Sequence, residues 1–212
     1  MQMMTDNYNP KLEGLDENRI DPDPIKQFQG WFKEAQEAKL PLPEAMTLAT
    51  ATPDGKPSAR MVLLKGVDKR GFVFFTNYLS AKAAELESNP YAALVFFWSA
   101  FDRQVRVEGK IVKTSAAESS EYFQTRPRES QIGAWASPQS EVIPSRDELE
   151  RRKMEFEESY RDRVVDRPLH WGGYRLQPDR IEFWKGRLGR LHDRILYERI
   201  KSGDWLIKRL AP

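Results

Sequence analysis

The pattern that most restricts this chain is a succession of strand-like stretches that helices interrupt too irregularly for a strand–helix–strand repeat. AMTLATAT (45–52) meets a PDG turn and returns as PSARMVLLK (57–65), which is a hairpin signal. GFVFFT (71–76), YAALVFFW (91–98) and RQVRVEGKIVKT (103–114) follow; the second is apolar almost throughout and the third alternates. GGYRLQPDRIEFWKG (172–186), RLHDRILYERI (190–200) and GDWLIKRL (203–210) end the chain as further strands joined by Gly-containing turns. Helical periodicity is confined to IKQFQGWFKEAQEAK (25–39), with Phe28, Trp31, Phe32 and Ala35 as its apolar stripe, and to shorter stretches at 80–89, 115–125 and 146–162. Ser115 with Glu118, and Ser145 with Glu148, match the capping box that starts a helix. This order argues against a doubly wound parallel sheet. It predicts a mainly β fold, an antiparallel Greek-key barrel with helices packed outside.

Residues 1–24 are polar and end in DPDP, so they are expected to form an N-terminal arm. Residues 25–212 are expected to form one domain, with 171–212 as strands near a subunit interface. The charge balance, 34 basic against 32 acidic residues, gives a net charge of only +2 and does not favour a nucleic-acid or membrane partner. Arginines and aromatics do interleave, which would suit a stacking groove for nucleic acid. Acids interrupt nearly every basic segment, as in DRQVRVEGK, and weigh against it. No cysteine is present, which removes disulfides, thiolate metal sites and cysteine nucleophiles and fits a reducing compartment. The start, MQMMTDNYNP, lacks the apolar core of a secretory signal, so a cytoplasmic location is expected. Two histidines without a carboxylate set at ligand spacing give no metal site. G-x-G-x-x-G, Walker and G-x-S-x-G motifs are absent.

What recurs is a cation beside a hydroxyl or amide at an element boundary. Arg60 and Lys65 flank the end of one strand, Thr76 closes another, and Ser80 with Lys82 opens a helix, where backbone N–H groups favour phosphate. Ser80 as a plain N-cap and Lys82 as a solvated lysine is the competing reading. In YFQTRPRES (122–130), Tyr122 and Arg126 share a helical face, and Arg128 and Ser130 follow. That set would suit a second phosphate, or would merely complement a helix C-terminus. Gln104, Gln139, Ser140 and Trp184 can read the edge and cover the face of a ring system, though each alone is more simply structural. In RLHDR (190–194), an extended backbone would direct Arg190, His192 and Arg194 to one side, and Leu191, Ile195 and Tyr197 to the other. Such a ribbon is either a charged edge strand or one wall of an anion site.

Taken together, RMVLLK, FFTNYLSAK, RQVRVEGK, RPRESQIGAW, PQS, WGGYR, IEFWKG, RLHDR and the terminal RLAP resemble the pyridoxine/pyridoxamine 5′-phosphate oxidase family over roughly residues 20–212. The family's fold is an FMN-binding split barrel. The resemblance implies a homodimer with FMN at the subunit interface. It implies that Arg60 and Lys82 hold the FMN phosphate, that Met61, Val62, Leu63, Leu64 and Lys65 run past the cofactor beside Phe75 and Thr76, and that Gln104, Gln139, Ser140, Trp184 and Arg194 complete its surroundings. The substrate phosphate would meet Lys65, Tyr122, Arg126 and Ser130, while Arg190 and His192 would face the pyridine ring at the reacting carbon. The implied reaction oxidises pyridoxine or pyridoxamine 5′-phosphate to pyridoxal 5′-phosphate by hydride transfer to FMN. Dioxygen is the final acceptor; hydrogen peroxide is released, with ammonia from the amine substrate. Ala81 stands where the family commonly has an arginine before the lysine, which predicts looser FMN. Tyr8 and Lys11 are candidates for closing over substrate. The alternative is a related split-barrel flavin reductase or oxidase; a degraded RPRES or RLHDR would favour it, and both are intact.

Overall fold

The computed structural model describes residues 14–212, and one nine-stranded antiparallel sheet organises them. Its central path runs β2 (Pro57–Leu63), β1 (Ala45–Ala51), β5 (Tyr91–Trp98), β6 (Arg103–Lys113), β7 (Trp171–Lys185), β4 (Gly71–Asn77) and β3 (Gly66–Asp68). β8 (Asp193–Arg199) pairs with β7, and β9 (Trp205–Arg209) pairs with β8. The first half of β7 pairs with β4 and its second half with β8, which curls the sheet into a half-barrel. Pro178 sits where the β6–β7 register shifts beside Glu108 and Gly109, a bulge that tolerates a residue without an N–H. Gly109 is required there, since a Cβ would lie 2.0 Å from the Gln177 carbonyl oxygen.

Alternation along β6 carries Val105, Val107 and Ile111 into the core. α1 (Pro24–Glu37) covers that core. It starts cleanly because Pro24 occupies its first turn and the Asp23 carboxylate accepts the Ile25 N–H at 2.9 Å. Its buried stripe of Ile25, Phe28, Trp31 and Ala35 matches the predicted one, with Phe32 only partly buried. Phe28 packs edge-on to Phe72 at 4.9 Å and against Phe96 at 4.8 Å. Both predicted serines cap their helices: Ser115 accepts the Glu118 N–H at 3.0 Å to open α3 (Ala116–Thr125), and Ser145 accepts the Glu148 N–H at 3.3 Å to open α5 (Arg146–Ser159), while the two glutamates pair with Arg175 and Arg151.

Three expectations need correction. α4 (Arg128–Ala136) follows α3 after only Arg126 and Pro127, where the sequence suggested only a helix end. β3 is a three-residue strand without a sequence signal of its own. The strand expected over 190–200 begins only at Asp193; Leu188–Arg190 is a 3-10 turn in which Gly189 (φ 67°) and Arg190 (φ 61°) are left-handed. Arg190 and His192 therefore do not share a strand face with Arg194. Ile195 and Tyr197 are buried, but Leu191 is exposed.

Within the described part of the N-terminal region, Arg209 pairs with Glu17 and donates to the Leu15 carbonyl at 2.7 Å, while Tyr197 Oη donates to the Asp21 carbonyl at 2.6 Å. Tyr8 and Lys11 lie outside the described residues. Among those residues, no helix is long and apolar enough to cross a membrane.

Candidate active site

Arg60, in the middle of β2, lies opposite Leu48 of β1 and turns its guanidinium toward α2 (Ala81–Ser88). It donates to Ser58 Oγ at 2.6 Å and pairs with Glu85 at 3.0 Å. Lys82, one turn before Glu85, donates to Gln139 Oε1 at 2.7 Å, Thr76 Oγ1 at 3.1 Å and Ser80 Oγ at 3.3 Å. Burial, and then the neighbouring Arg60 charge, push the Lys82 ammonium below its usual lysine value, with Glu85 opposing the shift. Ser80 is the N-cap by position but makes no side-chain cap; its hydroxyl donates to the Asn77 carbonyl at 2.7 Å. The first N–H of α2, on Ala81, instead reaches Ser140 Oγ at 3.2 Å, and Ser140 holds a left-handed backbone (φ 77°) to receive it.

A second cluster forms around Trp171 at the start of β7. Phe75 stacks on Tyr122 at 4.1 Å and on Trp171 at 5.3 Å, and the Arg126 guanidinium lies 4.6 Å from the Trp171 ring centre. α3 ends at Thr125, so Arg126 leaves the helical face shared with Tyr122 yet stays beside it. Burial pushes the Arg126 guanidinium below its ordinary value, and its Nη1 is a buried nitrogen without a hydrogen-bond partner. Arg128 is spent elsewhere: it donates to the Arg163 carbonyl at 3.0 Å and to the Tyr160 and Arg161 carbonyls after α5.

Both clusters line one cavity of about 380 Å³. Arg60, Lys65, Lys82 and Arg126 bring four cations to its wall, no carboxylate among the described residues lines it, and Met61, Val62 and Leu63 supply an apolar strip. Phe75, Thr76, Tyr122 and Gln139 complete the predicted residues there; Asn77 and Trp171 were not predicted. The signal for Trp171 was the pair of glycines after it: a Cβ on Gly172 would lie 2.3 Å from the Tyr78 oxygen, so that strand must approach closely. A neighbouring cavity of about 360 Å³ shares Lys65, Phe75 and Tyr122 but has Asp68, Glu118 and Glu121 in its wall. Its buried Arg175 is already paired with Asp68 at 3.0 Å and Glu118 at 2.6 Å. An anion therefore suits the first cavity and not the second. The orphaned Arg126 nitrogen points to the same ligand chemistry, since a buried unpaired donor is costly.

The remaining candidates do not line this cavity. Leu64 is buried in the core, and Ser130 lies in the first turn of α4. Gln104, Trp184 and Arg194 form a row of directly paired residues across β6, β7 and β8. Arg194 is held by the carboxylate of buried Glu182 at 2.7 and 3.1 Å and by the Ala211 carbonyl at 3.0 Å, so the terminal RLAP fixes it from one side. The His192 ring lies 4.7 Å from Trp184 and accepts the Arg187 N–H on Nδ1 at 3.1 Å. Arg190 is exposed. This second group sits at the far end of β7 from Trp171. The strand has 15 residues, roughly 50 Å of chain when extended.

Comparison with known proteins matches residues 32–160 to the family described as pyridoxamine 5′-phosphate oxidase, and residues 171–212 to the pyridoxine 5′-phosphate oxidase C-terminal dimerisation region. The pyridoxine/pyridoxamine 5′-phosphate oxidase of Paraburkholderia xenovorans is 60% identical over 205 residues, covering 96% of each chain. That of Nostoc punctiforme is 58% identical over 201 residues, covering 95% of this chain and 94% of the relative. Among solved structures, Burkholderia lata PhzG, in complex with tetrahydrophenazine-1-carboxylic acid, superposes with a TM-score of 0.89 at 30% identity, covering 95% of this chain and all of that one. A pyridoxamine 5′-phosphate oxidase-related, FMN-binding protein of Nostoc punctiforme shares the fold with a TM-score of 0.72 at 17% identity. Matched along nearly all its length, the chain belongs to the pyridoxamine 5′-phosphate oxidase family.

Proposed function

We propose that this protein oxidises pyridoxine 5′-phosphate and pyridoxamine 5′-phosphate to pyridoxal 5′-phosphate with FMN as cofactor, in a site that two copies of the chain build together. The observation that carries this reading is the cavity into which the described residues bring four cations and no carboxylate, two of the cations being half-buried. Its two clusters match two phosphates. Arg60 and Lys82 hold the FMN phosphate. Lys65, Tyr122 and Arg126 bind the substrate phosphate, and the Phe75–Tyr122–Trp171 stack forms a flat wall beside it; Ser130, in the first turn of α4, does not line the cavity and is left out of this set. FMN would supply the redox chemistry, taking the hydride from the substrate carbon that carries the alcohol or amine, with dioxygen as the final acceptor and hydrogen peroxide as its product; with the amine substrate, water would hydrolyse the resulting imine to the aldehyde and ammonia.

Trp184, Arg190, His192 and Arg194 lie in the region whose family counterpart is a dimerisation unit, and Gln104 of β6 pairs directly with Trp184. We assign them to the cavity of the partner copy. Exposed Met61 and Phe97, on strands of the same sheet, supply apolar surface for that contact. Arg190 pairs with the polar edge of the substrate ring while remaining charged. His192 accepts on Nδ1, so a neutral ring carries its proton on Nε2 and offers that N–H to the substrate. These groups orient the reacting carbon and exclude water; FMN carries the redox chemistry.

The test is to record the visible spectrum of the purified protein and then add pyridoxine 5′-phosphate without oxygen. A yellow dimer that bleaches is expected, with colour restored by air. A colourless monomer, or a flavin that stays oxidised at saturating substrate, would sink the reading.

A further inference from the structure

Arg60 enters the cavity with its guanidinium plane already fixed. Nη1 donates to the Leu48 carbonyl at 3.3 Å and to Thr50 Oγ1; Nη2 donates to Ser58 Oγ at 2.6 Å and Glu85 Oε2 at 3.0 Å. Glu85 Oε2 also accepts the Thr50 hydroxyl. The Glu85 side chain is only 17% exposed and does not line the cavity, whereas Arg60 does. Glu85 and Lys82 lie one helical turn apart on α2, so one short helix presents a cation to the cavity and sets a carboxylate behind a second cation. Two half-buried cations at one wall repel each other, and a long arginine side chain loses rotamer freedom when it is held. Glu85 opposes both effects.

We propose that Glu85 is a positioning residue for the cofactor phosphate: acting through Arg60, it makes this site prefer a phosphorylated flavin over the same flavin without its phosphate. The inference rests on the reading that this cavity takes the FMN phosphate. Because Glu85 does not line the cavity and is bonded to Arg60, one of the two cations assigned to the cofactor phosphate, its removal should fall on FMN and spare riboflavin.

The experiment titrates the full-length protein, freed of flavin, with FMN and with riboflavin, followed by quenching of flavin fluorescence. Glu85→Ala is expected to weaken FMN about tenfold, the scale of a lost charge-assisted hydrogen bond, and to change riboflavin less than about twofold. Glu85→Gln retains a carbonyl acceptor for Arg60 and is expected to weaken FMN only about threefold, again sparing riboflavin. It also carries the test should the alanine variant fold poorly. Equal weakening of both flavins would overturn the proposal and make Glu85 a structural residue. Unchanged or tighter FMN in Glu85→Gln would overturn it too, making the carboxylate a brake on anion binding. A wild-type protein that does not distinguish FMN from riboflavin would instead overturn the underlying assignment of the cavity.

Discussion

The cavity between α2 and β2 and the RLHDR segment are built on opposite terms. In the first, three of the four cations are held: Arg60 by β1, β2 and α2, Lys82 by three oxygens, and Arg126 against the Trp171 ring. In the second, Arg190 is exposed on a left-handed turn, and Leu188 and Leu191 on either side are 92% and 73% exposed. A site assembled within one chain is pre-organised by its own fold. In RLHDR only the turn up to Leu191 is left exposed, since Asp193 and Arg194 are already paired with Arg209 and Glu182. On this view the phosphate ends of the reaction are set by one protomer, and the reacting carbon is set by its partner.

The strongest way to break that comparison is at Arg190. In anaerobic single-turnover measurements, Arg190→Ala should keep its FMN yet reduce it about a hundredfold more slowly at saturating substrate, the scale of a misplacement of about 1 Å. His192→Ala should slow the same step less. Wild-type rates in both variants would return RLHDR to a structural role.

Next in size is the loss of single phosphate contacts. Arg126→Ala should raise KM for pyridoxine 5′-phosphate by about ten- to a hundredfold and leave FMN bound, while Lys82→Ala should weaken FMN by a similar factor. If the two effects exchange, so must the two phosphate assignments. Sharing between protomers is tested by mixing Lys82→Ala with Arg190→Ala chains, unfolding them and refolding them together. Random pairing should restore about a quarter of the wild-type sites, because each mixed dimer contains one undamaged site. No recovery would place all these residues in one protomer's site.

A smaller effect concerns pH. Phosphate binding needs Lys82 charged, and the free protein holds its pKa below the usual lysine value. Bound phosphate raises it again, so FMN affinity should fall as pH rises through the lowered pKa, and Lys82→Arg should flatten that fall. Smallest is the clamp at the N-terminal segment. The Arg209 guanidinium holds the Glu17 carboxyl down to about 2, so its stabilisation is present above the ordinary carboxylate range and lost as pH falls toward 2. Glu17 is 37% exposed, and Glu17→Gln should cost less than about 1 kcal/mol at neutral pH in urea unfolding.

Strand and helix identity could be read from the chain because they depend on neighbours two to four residues apart. Alternation in RQVRVEGKIVKT gave β6, the stripe from Phe28 to Ala35 gave the buried face of α1, and Ser-x-x-Glu gave the starts of α3 and α5. The motifs that carry the family resemblance likewise survive as local strings. The turn at Leu188–Arg190 did not follow, because alternation in RLHDR suits a strand as well as a loop, and left-handed Gly189 and Arg190 break the strand before Asp193. Neither did α4, since Pro127 after α3 looks like a stop whether or not a new helix begins behind it.

By itself, then, the sequence determined the antiparallel class, the two cationic segments and the absence of thiol and histidine-rich chemistry. Tertiary structure alone decided which cations share a cavity, that Arg128 is diverted to the end of α5, that Trp171 walls the site, and that Glu85 stands behind Arg60. The physical reason is distance. Local patterns record which face of an element is apolar, but Arg60 and Glu85 are 25 positions apart, and Thr76 and Gln139 are 63. Only the sheet register and the packing of α2 against β1 bring such pairs within reach of a hydrogen bond.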